Sequence, residues 1–134
     1  EMRKKVFFIL LTLGVIGCNL STTGSTEIKP GEEFELRYGQ SASLSGAGMA
    51  VTFKALTEDS RCPEGAVCVW KGNAGVVVSL SETDVSLNTT LQPREVSHSG
   101  YRIRLVAVHP YPKLNEQYRP EDYRIKLLIG IQKE

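Results

Sequence analysis

A helical stripe is the first thing this chain lacks. No window of ten or more residues repeats apolar side chains at the 3.6-residue spacing of an amphipathic helix. That absence excludes helix bundles and the alternating helix–strand folds. Histidine is scarce: His98 and His109 are the two in the chain, and no H-x-H or H-E-x-x-H spacing joins them. A zinc or copper site would need the fold to draw them together with Asp, Glu or a thiol. No serine sits in a nucleophile elbow, and no glycine-rich phosphate cradle opens a helix. Glu32-Glu33 and Glu121-Asp122 read as solvated turn charges rather than a general-acid pair. No charge of one sign dominates, with 16 Lys and Arg against 15 Asp and Glu. A long-range field that would gather nucleic acid is therefore missing. These absences point away from an enzyme and call for no cofactor and no metal.

What is present begins at the N-terminus. Arg3, Lys4 and Lys5 precede the apolar run Val6 to Leu13, which falls short of the roughly 20 residues of a membrane span and has the layout of an export signal. Val15-Ile16-Gly17-Cys18 follows and resembles the lipobox of bacterial lipoproteins. The resemblance implies that residues 1–17 are a signal peptide, and that Cys18 is acylated and becomes the first mature residue. The chain then belongs to the bacterial cell envelope as a membrane-anchored lipoprotein. Its membrane contact is the lipid on Cys18, since two or three acyl chains hold stably where one holds marginally. Asn19 is not the Asp associated with inner-membrane retention in some Gram-negative bacteria, and the final membrane stays open. Without residues 1–17 the chain keeps 13 basic and 14 acidic side chains, and the basic excess disappears.

Three cysteines then divide into one lipid site and one pair. An exported domain lies where disulfides persist. Cys62 and Cys68 enclose Pro63-Glu64-Gly65-Ala66-Val67, whose Pro and Gly let the chain turn back. A disulfide is expected. It lacks the C-x-x-C spacing of a redox pair, and closing so short a loop adds only about 2 kcal/mol of stability, so its purpose is local shape.

Residues 18–31 are small, polar and without periodicity, as a flexible tether should be. Residues 32–134 form the single domain. There the apolar spacing is two: Phe34, Leu36 and Tyr38; Met49, Val51, Phe53 and Ala55; Val76, Val78 and Leu80. Val67 to Trp70 is a short apolar stretch, Val85 to Leu91 a weaker run, and Tyr101 to Val108 and Tyr123 to Ile131 are long. Asn115 to Asp122 has room for one helical turn, limited by Pro120. The pattern predicts an all-β domain of about seven or eight strands. It is expected as an antiparallel β-sandwich of immunoglobulin-like size, with a small closed barrel as the alternative.

The densest constellation runs Asp59-Ser60-Arg61-Cys62-Pro63, then a short loop, then Cys68-Val69-Trp70-Lys71-Gly72-Asn73-Ala74. It resembles the Asp-Ser-Arg-Cys-Pro, Cys-Val-Trp-x-Gly-x-Ala motif of a family of small bacterial envelope proteins and lipoproteins. The likeness extends loosely to Gly39-Gln40 and to the last two strands with Pro110 and Pro112. Lys71 stands where that family often has a small residue. Two arrangements suit the motif. In one, Trp70 packs in the core beside the disulfide and Asp59 with Arg61 pins the loop. In the other, Arg61, Glu64 and Trp70 form an exposed recognition patch, since Arg and Trp are favoured interface anchors. A second place for binding is His109-Pro110-Tyr111-Pro112-Lys113 with Tyr118 and Tyr123.

The function expected is a non-catalytic binding module, anchored by lipid, with a protein of the envelope as a further candidate partner. The alternatives are an inhibitor that inserts the Cys62–Cys68 loop into an exported hydrolase, and a metal-binding envelope protein using His98 or His109. Oligomeric state is not legible.

Overall fold

A computed structural model describes residues 26 to 133, together with Gly14 and Gly17. The segment expected as a signal peptide, apart from those two glycines, and Cys18, expected to be acylated, lie outside the described residues.

Among the described residues nine strands form two sheets: β1 (Thr26–Ile28), β2 (Glu33–Arg37), β3 (Ser41–Leu44), β4 (Met49–Asp59), β5 (Ala74–Leu80), β6 (Thr83–Asn88), β7 (Glu95–His98), β8 (Tyr101–His109) and β9 (Arg124–Ile131). One sheet has the order β1-β3-β4-β5-β6 and the other β2-β9-β8-β7. Neither closes on itself, so the domain is a β-sandwich and not a barrel. All pairings are antiparallel except β1 with β3.

The period-two spacing explains the core. Val51, Phe53, Val76, Val78, Leu80 and Leu87 from the first sheet meet Leu36, Ile103, Leu105, Ile125, Leu127 and Ile129 from the second in one buried cluster. Alternate residues on the same strands face solvent, because successive side chains leave opposite faces of a strand. On the outer face of β2, β8 and β9 they are charged, with Arg124 3.5 Å from Glu35 and Lys126 3.9 Å from Glu33.

Three details differ from the sequence expectation. Thr26–Ile28, inside the stretch expected as a tether, is a strand, because Ile28 is buried and β1 adds alongside β3. Val67 to Trp70 is loop rather than strand. Glu95–His98, outside the runs expected as strands, is a short edge strand whose hairpin to β8 closes through Ser99 and Gly100, both at positive φ, the geometry that matches strand twist. The helical turn near Pro120 is present as a single 3-10 turn over Pro120–Asp122.

The connections are unequal. Tight turns at Ser81-Glu82 and Ser99-Gly100 close one end of the sandwich. The long segments 60–73 and 110–123, with 89–94, meet at the other.

Candidate functional site

Asp59 ends β4, just after two irregularities in its pairing with β5. Such bulges raise the local twist and re-aim the side chains that follow. Two residues on, Arg61 folds back on Asp59 with Nε donating to Oδ1 at 2.8 Å and Nη2 to Oδ2 at 2.8 Å. This two-pronged geometry uses the planar guanidinium fully. Arg61 also donates from Nη1 to the Val108 carbonyl at 2.6 Å and from Nη2 to the Pro110 carbonyl at 2.9 Å. One side chain thus ties the first loop to the end of β8. Arg61 is only 8% exposed, and its guanidinium carbon lies 5.1 Å from the Tyr111 ring centre. The Tyr111 hydroxyl donates to the Cys62 carbonyl at 2.8 Å, and the Tyr123 hydroxyl donates to Asp59 Oδ2 at 3.0 Å.

The charges of this clamp are set by its burial and its partners. Burial pushes the Asp59 carboxyl upward, but hydrogen bonds from Arg61 and its positive charge, with the Tyr123 hydroxyl, hold it below the ordinary carboxylate value. Burial and the bond to Asp59 push the Tyr123 phenol up to about 12. Both groups therefore sit in the clamp in single protonation states across neutral pH.

A second set of bonds closes the loop base. Asn73 is fully buried. Its Nδ2 donates to Glu58 at 2.5 Å and to Asn88 at 3.0 Å, and its Oδ1 accepts the Thr90 and Leu91 N–H groups at 3.0 and 3.1 Å. The Ser60 N–H donates to the Asn73 carbonyl at 2.8 Å, and the Cys62 N–H to that of Lys71 at 3.0 Å. Gly72 makes the approach possible: its φ is +75°, and a Cβ there would lie 1.9 Å from the Ser60 carbonyl oxygen.

Cys62 and Cys68 form the expected disulfide, with Cα atoms 5.9 Å apart. Glu64 meets the other loop, its N–H donating to the Pro112 carbonyl and its own carbonyl accepting the Leu114 N–H, both at 3.0 Å. The two arrangements suggested by the sequence are thereby mixed. Asp59 and Arg61 pin the loop, and Arg61 is withdrawn from the surface, so it does not belong to an exposed patch. Trp70 is half exposed rather than packed in the core. Glu64 is exposed in the same loop.

The residues that sequence reasoning missed are Val67 and Val69. Their apolar stretch suggests burial, yet they are 102% and 105% exposed. Leu91, Tyr111 and Leu114 are also exposed, and each is joined by a direct hydrogen bond to this loop or its base. Six of the eight exposed large apolar side chains among the described residues therefore crowd one end of the sandwich. A signal was available: Val67 lies inside the ring closed at Cys68 and Val69 directly follows it, so the stretch has little freedom to pair as a strand.

A shallow groove of about 290 Å³ opens beside the clamp, reached by Lys71, Thr89, Thr90 and His109. Larger depressions of about 460 and 570 Å³ lie elsewhere, on charged surface around Arg102 and Arg104 and around Glu35 and Arg124. His109 closes β8 while His98 pairs with Tyr101 at its start, so the two histidines occupy opposite ends of that strand. No group of three or more His, Cys, Asp or Glu among the described residues is placed to hold a metal ion.

No protein family, curated protein or solved structure matches the chain.

Proposed function

We propose that this chain is a lipid-anchored protein of the bacterial envelope whose β-sandwich presents the Cys62–Cys68 loop as a non-catalytic binding surface. The lipobox-like Val15-Ile16-Gly17-Cys18 and the resemblance of the cysteine loop to small envelope lipoproteins support the anchor and the setting. One observation carries the binding role: Val67, Val69 and Trp70 stand exposed on a loop that a disulfide and the Asp59–Arg61 clamp hold in place. Keeping apolar surface in water costs about 25 cal/mol per Å² relative to burying it. A cluster at one end of a small domain is the mark of an interaction site, and its fixed scaffold lowers the ordering entropy of association.

Two measurements test this. Mass spectrometry of the N-terminal peptide from native membranes is expected to find acylated Cys18. A photo-crosslinking residue at Val69 is expected to give adducts that one at Glu82, in the turn at the opposite end, does not. Equal labelling from both positions would remove the binding surface from the loop.

The full exposure of Val67 and Val69 on a disulfide-closed loop also favours a second reading, insertion into the cleft of an exported hydrolase. A panel of secreted proteases showing no inhibition would eliminate it.

A further inference from the structure

We infer that the partner of the loop end is the lipid bilayer itself: the apolar tip at Val67, Val69 and Trp70 dips into the membrane interface as a second point of attachment. This rests on the proposed acylation of Cys18.

The direction of the first strand carries the inference. β4 runs from Met49 toward the loop end, where Asp59 pairs with Ala74. β3 is antiparallel to β4, and β1 is parallel to β3. β1 therefore runs away from the loop end, and Thr26 is its end nearer the loops. Thr26 lies level with Ala42 and, through it, with Val51. Val51 and Asp59 of β4 face Leu80 and Ala74 of β5, six steps apart because the two bulges of β4 take up the rest, and six steps rise about 20 Å. Seven residues, 19 to 25, separate Cys18 from Thr26, and that length of chain spans at most about 28 Å. Cys18 can thus reach the level of Asp59 and at most about 8 Å beyond it, toward the loop tip. The short leash brings the crowded apolar end against the surface in which the lipid is buried.

The chemistry of the tip suits that surface. Val67 and Val69 are fully exposed. Trp70 offers an apolar ring with one polar N–H, the combination enriched at the headgroup level. Exposed Tyr111 and Leu114 widen the apolar end, and Lys71 and Lys113 are exposed next to it in sequence. Acyl chains give attachment and the tip gives orientation, the two-signal arrangement that makes peripheral binding stable.

Trp70 is the single tryptophan, so its emission reports the tip alone. The acylated full-length protein is reconstituted in vesicles of phosphatidylethanolamine and phosphatidylglycerol, with and without lipids brominated along the acyl chain. Trp70 emission is expected to shift to the blue and to be quenched by bromines near the glycerol end more than by those near the methyl end. The Val67→Asp, Val69→Asp variant, altered at two fully exposed positions, is expected to keep its fold and acylation and lose both the shift and the quenching. Unquenched, water-like emission from protein whose Cys18 acylation is confirmed by mass would overturn the tip contact while leaving the anchor standing. Unmodified Cys18 in membrane-derived protein would overturn the anchor and this inference with it. Trp70 quenching that survives in the Val67→Asp, Val69→Asp variant would also overturn the assignment to these residues.

Discussion

Replacing Arg61 with methionine isolates what holds the loop end in shape. The substitution keeps an unbranched stem of similar bulk and removes the guanidinium. Asp59, whose side chain is 8% exposed, would be left charged and buried with the Tyr123 hydroxyl as its remaining side-chain donor. The Val108 and Pro110 carbonyls would lose the donors they receive at 2.6 and 2.9 Å. Removing one partner of a buried ion pair costs about 3–5 kcal/mol, a large share of the roughly 5–15 kcal/mol that holds a domain folded. For a domain of this size that is a fall in Tm on the order of 15 °C. Urea unfolding followed by far-UV circular dichroism measures it. The Asp59→Asn, Arg61→Met double variant should be less destabilised than the two single losses together, with a coupling of about 2 kcal/mol or more. A loss below about 1 kcal/mol for Arg61→Met, the range of an exposed ion pair, would refute the clamp.

The same clamp sets the pH limits of stability. Asp59 is held below its ordinary value, so its contribution is full above an unfolded pKa near 3.9 and is lost as pH falls through the lower folded value; Asp59→Asn should flatten that acid limb. Tyr123 is raised to about 12, so its contribution is full below about pH 10 and is lost as pH rises toward 12; Tyr123→Phe should remove that alkaline limb at a cost of about 1.5–3 kcal/mol near neutrality, the worth of a bond to a charged group. Gly72→Ala places a Cβ against the Ser60 carbonyl at positive φ and should lower stability by more than 2 kcal/mol, on the order of a forced backbone strain, as read by thermal unfolding. Replacing Cys62 and Cys68 together with alanine should cost only about 2 kcal/mol and raise protease cleavage between residues 62 and 70, measured by limited proteolysis.

Most of the sandwich was legible because its strands obey a period of two. Val51, Phe53, Val76, Val78, Ile125 and Leu127 are buried and alternate with residues that are at least partly exposed, apart from Gly75. The elements that escaped depend on partners rather than on their own pattern. β1 has Ile28 as its single buried residue and exists by pairing with β3, and β7 offers only Val96 toward the core. The disulfide was legible from spacing and setting. The burial of Arg61 was not, because the carbonyls that receive it lie 47 and 49 residues away in sequence. Trp70 and the two valines show the opposite error. Apolar residues suggest a core, but a loop pinned by a disulfide, a glycine contact and a buried arginine holds them out in water.

The most direct measurement is the depth of the two ends of the sandwich in the membrane-bound protein. Single spin labels placed at Val69 and at Glu82 of acylated protein in vesicles would be compared for collision with dissolved oxygen and with a water-soluble nickel complex. A tip held at the bilayer makes the Val69 label accessible to oxygen and shielded from nickel, with the Glu82 label the reverse. Equal, water-like accessibility at both positions would contradict the account.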